Sequence, residues 1–237
     1  MLHRPLALLF DLDGTLADSI ALLLASFHHT FAAHRPDFTP PDQEWIAGIG
    51  TPLITQMRQF VPTEDEAQQM ILTYREFQRT HHDDMLREFE GVGETLALLK
   101  ARGHPTGLVT SKSNDLAHRA LTWLHLTEHI DVVVGMDSTE RHKPDPEPVL
   151  HALGVLGATP SEALFLGDSP HDIEAGNAAG VTSVAALWAH SPVRCWKGRP
   201  RPTSSSTFVS SRRWSAGWTP PEAPRHHRSN PSAVRVI

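Results

Sequence analysis

From Val92 to Leu187 short apolar runs alternate with longer amphipathic stretches, and that rhythm restricts the chain to one class of fold. Strands are expected at Thr106–Thr110, Val132–Val134, Ala163–Leu166 and Ser183–Leu187. Helices are expected to end at Gly103 and to cover Asp115–Leu124, Pro146–Leu156 and Ile173–Ala179. Such alternation builds a parallel sheet with helices on both faces. Leu6-Ala-Leu-Leu-Phe10 adds a strand near the start of the chain. It is uncharged and far too short to cross a membrane, as a strand buried between two helical layers should be.

Between that first strand and the alternating region lies a helical block, residues 17–88. Asp18 and Ser19 are placed to cap a helix running to about Ala33, and a proline-rich turn, Pro36 to Pro41, follows. Thr63 and Glu66 have the spacing of a capping box. The helix they open carries Ala67, Met70, Ile71, Tyr74 and Phe77 at helical spacing, which reads as core packing. Interrupting a sheet after its first strand makes this block a cap by position. The expected organisation is a core from 1–16 and 89–189, a cap from 17–88 and a tail from 190–237.

The tail differs from the rest in charge. Of the 237 residues, 190–237 carry about +8 and 1–189 about −14, for a total of −6. The tail is rich in proline and shows no period of 2 or 3.6, so it is expected to be disordered and not to continue the sheet. Two origins compete: a basic arm for a polyanion such as nucleic acid, or the product of a shifted reading frame. With suitable codons, the segment from Pro202 to Phe208 read one base earlier spells Asp-Phe-Phe-Val-Asp-Phe, which is strand-like. A basic tail alone is weak support for nucleic-acid binding, so the shifted frame is the better fit. The single cysteine, Cys195, the absence of any long apolar segment and an acid as early as Asp11 point to a cytoplasmic protein without a membrane span.

Function is carried by the residues at the strand ends. Asp11 and Asp13 follow the first strand and point the same way in an extended chain. Thr110 and Ser111 end the second strand, Lys143 lies downstream of the third, and Asp168 and Asp172 follow the fourth. In a parallel sheet these carboxyl ends share one edge, so the residues can converge. Carboxylates that meet there repel one another unless a cation lies between them. Hard oxygen donors with one lysine and one hydroxyl suit Mg²⁺ and a phosphate group. The pairs His28–His29, His81–His82 and His226–His227 are sequence neighbours, which face different ways on a helix. His125 and His129 have no evident third ligand. All are read as structural or surface residues.

Asp11-Leu-Asp-Gly-Thr15, Thr110, Lys143 and Gly167-Asp168-x-x-x-Asp172, in this order, resemble the haloacid dehalogenase superfamily of phosphohydrolases over about residues 5–189. The helical insert resembles that of the phosphoglycolate phosphatase-like subgroup. The resemblance implies a Rossmann-like core with an inserted four-helix-type cap, and Mg²⁺-dependent hydrolysis of a small phosphate monoester. It implies Asp11 as nucleophile, Asp13 as acid and base, and Lys143 and Thr110 on the transferring phosphoryl group. Mg²⁺ would be held by Asp11, the Asp13 backbone carbonyl and Asp168, with Asp172 acting through water or by orienting Lys143. The backbone at Ser111 would complete the phosphate cradle. Asp172 as a simple helix cap remains an alternative. The cap loop from Trp45 to Pro52, with Gly48 and Gly50, is the expected substrate-closing segment, and Arg58 or Arg75 could reach a substrate anion. The partner is a small phosphorylated metabolite; a phosphosugar mutase and a pyrophosphatase would use the same residues, and monomer or dimer are both open.

Overall fold

The computed structural model describes residues 5–188 and the backbone of 207–209. Six parallel strands form one sheet in the order β5-β4-β1-β6-β7-β8. They are β1 (Ala7–Phe10), β4 (Thr106–Val109), β5 (Val132–Val134), β6 (Ala163–Gly167), β7 (Thr182–Ala186) and β8 (Thr207–Val209). β1 lies in the middle, with Leu8 beside Thr106 of β4 and Ala7 beside Ala163 of β6.

Alternate side chains of β1 feed two separate cores. Leu8 and Phe10 pack with α5 (Val92–Ala101) and α6 (Asn114–Trp123), through Leu96, Leu99, Ala117 and Leu121. Ala7 and Leu9 pack with α7 (Glu147–Leu156) and α8 (Pro170–Ala179), through Val149, Leu153 and Ala175. Both faces are therefore covered, which is why the strands carry almost no polar residues. Gly107 in β4 serves this packing: a Cβ there would stand 2.7 Å from Leu9 and 2.9 Å from Val132.

Immediately after the sheet's first strand the chain leaves through Ala17–Asp18 (β2) and returns through Arg87–Glu88 (β3), which pair antiparallel. Between them lie α1 (Ile20–His34), α2 (Asp42–Ala47), α3 (Leu53–Met57) and α4 (Glu64–Met85). These four helices have their own apolar cluster, in which Trp45 stacks on Phe27 at 4.7 Å. Arg35 ties α1 to α4 through both oxygens of Glu66.

The helix starts differ from expectation in two places. Ser19 occupies the N-cap of α1, but its side chain makes no capping bond; its hydroxyl is buried without a hydrogen-bond partner. Thr63 does accept from the Glu66 amide, yet the Glu66 carboxylate turns to Arg35, so only half of the capping box forms. A bidentate charged pair is the stronger claim on that carboxylate.

The expectation that nothing after residue 189 continues the sheet is corrected: Thr207–Val209 pairs parallel with Val184–Ala186 as the outermost strand. The sequence there shows no alternation because the free edge of β7, not the segment's own pattern, provides the pairing. The disorder expected for the remainder of 190–237, together with His226 and His227, lies outside the described residues. No described helix is long and apolar enough to cross a membrane.

Candidate active site

The carboxyl ends of β1, β4 and β6 bring the acidic residues together. Asp11 is 3% exposed and held in line with the sheet by its amide, which donates to Leu166 O at 2.8 Å. The chain then coils tightly, with the amides of Thr15, Leu16 and Ala17 all donating to Leu12 O. Gly14 has φ +78°, and a Cβ on it would lie 2.3 Å from Asp168 Oδ2. Glycine at this position is what lets the Asp168 carboxylate approach the loop that carries Asp11 and Asp13.

Lys143 lies among these acids, fully enclosed. Its ammonium donates to Asp11 Oδ1 at 2.9 Å, Asp172 Oδ1 at 2.6 Å and Val109 O at 3.2 Å, which accounts for all three protons. Burial disfavours a charged ammonium, but the charges of Asp11 and Asp172 outweigh it and push the lysine's pKa up. It is therefore a permanent cation. Asp11 is pushed up to about 7, by burial first; Lys143 pulls the other way, and Asp172 and Asp13 add to the rise. The pocket has more negative charge than one lysine neutralises.

Asp172 has two tasks at once. Its Oδ1 takes Lys143, while its Oδ2 accepts from the Ser169 amide at 2.9 Å and the Ser169 hydroxyl at 2.6 Å, forming a capping box at the start of α8. The capping alternative and the lysine-orienting role are thus both present in one side chain.

Asp11, Asp168 and Asp172 each offer a carboxylate oxygen within 4.8 Å of the others, and all three are buried. Three converging hard donors with one ammonium fit a small divalent cation such as Mg²⁺, and the hollow above Gly14 is shaped around one of them. Among the described residues no histidine joins a comparable cluster. His28 pairs with Asp42, His29 and His81 pack on Phe77, and His82 is buried against Asp83.

Asp13 stands apart from that trio. Its Oδ2 pairs with Lys112 Nζ at 2.7 Å, and its Oδ1 is buried without a hydrogen-bond partner. Lys112 is the site residue that sequence reasoning missed. The signal was its place two positions after Thr110, but no pattern foretells that the chain bends there to swing the side chain inward. Thr110 is 5% exposed, and its oxygen accepts from the Lys112 amide at 3.2 Å, so its own proton is available to a ligand.

A cavity of about 90 Å³ opens above these groups, between the sheet edge and helices α1–α4. Asp11, Asp13, Thr110, Ser111 and Lys112 line it from below; Gly50 and Arg75 are among the residues lining it from above. The Ser111 hydroxyl donates to Gly50 O at 2.7 Å, so this side chain is engaged in joining sheet edge to cap loop. Gly50, at φ +97°, comes so near that a Cβ would be 2.7 Å from Ser169 Oγ. Gly48 does not line the cavity; its missing side chain makes room for Gln56 instead. Arg58 is bound to both oxygens of Glu64 at the exposed surface and is not among the cavity's lining residues.

Residues 8–186 match the family model described as haloacid dehalogenase-like hydrolase. A Caldanaerobacter subterraneus subsp. tengcongensis protein with the provisional name pyrophosphatase PpaX is 41% identical over 191 residues, 81% of this chain and 86% of that protein. Among solved structures, a provisionally named haloacid dehalogenase-like hydrolase from Bacteroides fragilis superposes with a TM-score of 0.78 at 24% identity, over 88% of this chain and 97% of that one. A predicted phosphoglycolate phosphatase from Haemophilus somnus 129PT gives 0.73 at 25% identity, over 80% and 88%. The Rossmann-like α/β core with a helical cap, the acid-bound Lys143 and these likenesses agree, and the chain belongs to the haloacid dehalogenase-like hydrolases as a phosphatase.

Proposed function

We propose that the chain releases phosphate from a small phosphorylated substrate by way of an aspartyl-phosphate on Asp11. The observation that carries this is the position of Asp11: its carboxylate meets Lys143 at 2.9 Å in the cavity that Asp13 and Thr110 also line. Asp11 Oδ attacks phosphorus as the bond to the leaving oxygen breaks. Asp13 gives a proton to that oxygen and afterwards takes one from the water that frees Asp11. Lys143 and the Thr110 hydroxyl stabilise charge on the transferring group. Mg²⁺, held by Asp11, Asp168, Asp172 and the Asp13 backbone carbonyl, would offset the phosphoryl charge. Residues 17–88 act as the cap that keeps water away from this exchange, and 1–16 with 89–189 as the core.

The PpaX relative, matched over most of its length, favours inorganic pyrophosphate as substrate. The structural likeness to a predicted phosphoglycolate phosphatase favours a small carboxylated monoester as the second reading. The test is phosphate release from pyrophosphate, phosphoglycolate and p-nitrophenyl phosphate with and without Mg²⁺. Asp11→Asn should abolish release by several orders of magnitude. Isomerisation of a hexose phosphate faster than phosphate release would replace hydrolysis by a mutase reaction.

A further inference from the structure

Lys143 is committed to the cavity floor, with all its protons engaged. Lys112 is a second ammonium at the same cavity, held 2.7 Å from Asp13 Oδ2. Opposite it, α4 contributes Arg75 and Gln78 to the lining. Neither makes a hydrogen bond or ion pair among the described residues. Three of their polar neighbours on the cap are occupied, while the buried Trp45 Nε1 has no hydrogen-bond partner. The Gln56 amide is bound to Trp45 O, the Thr51 hydroxyl to Gly48 O and the Tyr74 hydroxyl to Leu23 O. Arg75 and Gln78 keep donors to spend on a ligand.

Asp11, Asp13, Asp168 and Asp172 with Lys143 and Lys112 leave the core side two negative charges in excess, which one divalent cation would neutralise. With the core side balanced in this way, any phosphoryl group bound there brings negative charge that the core side does not compensate. Arg75 lines the same cavity from the cap and supplies a cation for that charge.

The geometry points to Arg75, Gln78 and Lys112 as a clamp for a second anionic group on the substrate, carried on the leaving-group side of the transferred phosphorus. The substrate class is therefore compact and doubly anionic, with pyrophosphate as its smallest member. The cavity of about 90 Å³ suits a compact substrate. This rests on the phosphatase reading above and assigns the substrate class of that same site.

The experiment measures kcat and KM of the full chain with Mg²⁺ on inorganic pyrophosphate and on p-nitrophenyl phosphate, whose leaving group has no second anion to clamp. Arg75 is exposed on its helix, so Arg75→Ala should fold normally. It should lower kcat/KM for pyrophosphate by roughly ten- to hundredfold, chiefly through KM, and for p-nitrophenyl phosphate by less than about threefold. Arg75→Lys should recover part of the loss, and Gln78→Ala should show the same bias more weakly. An equal fall on both substrates, which a purely structural role would give, overturns the clamp, as does an unchanged pyrophosphate rate. Wild-type protein active on p-nitrophenyl phosphate alone overturns the clamp and leaves phosphatase chemistry standing. Inactivity on both overturns the underlying reading.

Discussion

Mg²⁺ should stabilise this protein by an amount that grows with pH. Burial pushes the Asp11 carboxyl from its ordinary value near 3.8 up to about 7, with Lys143 opposing and Asp172 and Asp13 reinforcing. A rise of that size corresponds to roughly 4 kcal/mol. The folded form binds the proton more tightly than the unfolded chain, so stability is intact near pH 4, is lost as pH rises through about 7, and stays lost above. A cation among Asp11, Asp168 and Asp172 relieves that cost. Mg²⁺ at about a hundred times its dissociation constant supplies about 2.7 kcal/mol, within the roughly 4 kcal/mol at stake. For a chain of this size 1 kcal/mol moves Tm by about 2–4 °C, so about 5–10 °C is expected near pH 8. Thermal melts in EDTA and in Mg²⁺ at several pH values read this directly. The gap should close toward pH 5, where the proton already neutralises Asp11, and should disappear in Asp168→Asn. Metal-free Asp11→Asn should melt above metal-free wild type near pH 8, because the buried charge is gone. Equal melting with and without Mg²⁺ at every pH would refute the reasoning that these acids need a cation.

Other perturbations probe other parts of the site. Asp172→Asn should lower kcat by roughly a hundredfold as Lys143 loses an anchor, and cost about 1–3 kcal/mol as the Ser169 amide and hydroxyl lose their carboxylate partner; steady-state kinetics and urea unfolding measure the two. Gly14→Ala places a Cβ 2.3 Å from Asp168 Oδ2 at φ +78°, so the Mg²⁺ concentration for half-maximal activity should rise at least about tenfold, with a stability cost of about 1–3 kcal/mol. Ser111→Ala removes the bond to Gly50 O; hydrogen exchange over residues 48–52 should quicken while the melting temperature changes by no more than about 3 °C.

The meeting of the strand-end acids was legible because strand geometry places them. Asp11 and Asp13 follow a strand of four buried residues and Asp168 directly follows its neighbour β6, so topology brings Asp11 and Asp168 to one edge, whereas Lys143 reaches Asp11 from the loop after β5. What stayed hidden depends on contacts between distant segments. Lys112 looked like an ordinary loop lysine because its meeting with Asp13 spans the β1 and β4 loops. Gly48 and Gly50 look alike in sequence, yet one makes room for Gln56 and the other for Ser169. Glu66 had the right spacing for a box, and a partner on another helix took it. Thr207–Val209 owes its strand to the edge of β7. Arg58 and Arg75 were equal candidates until Glu64 removed one of them.

The brevity of the path from Asp11 to the cap has a mechanical consequence. Asp11 ends β1, the chain turns through Gly14, and by Ala17 it already forms the ribbon from which the cap helices hang. Any swing of the cap would therefore pull on the same backbone that carries the Asp11 carboxylate. Loading the lever with a ligand at its far arm would tighten the carboxylate's aim, and releasing it would slacken both together. Opening and readiness to react become two readings of one joint.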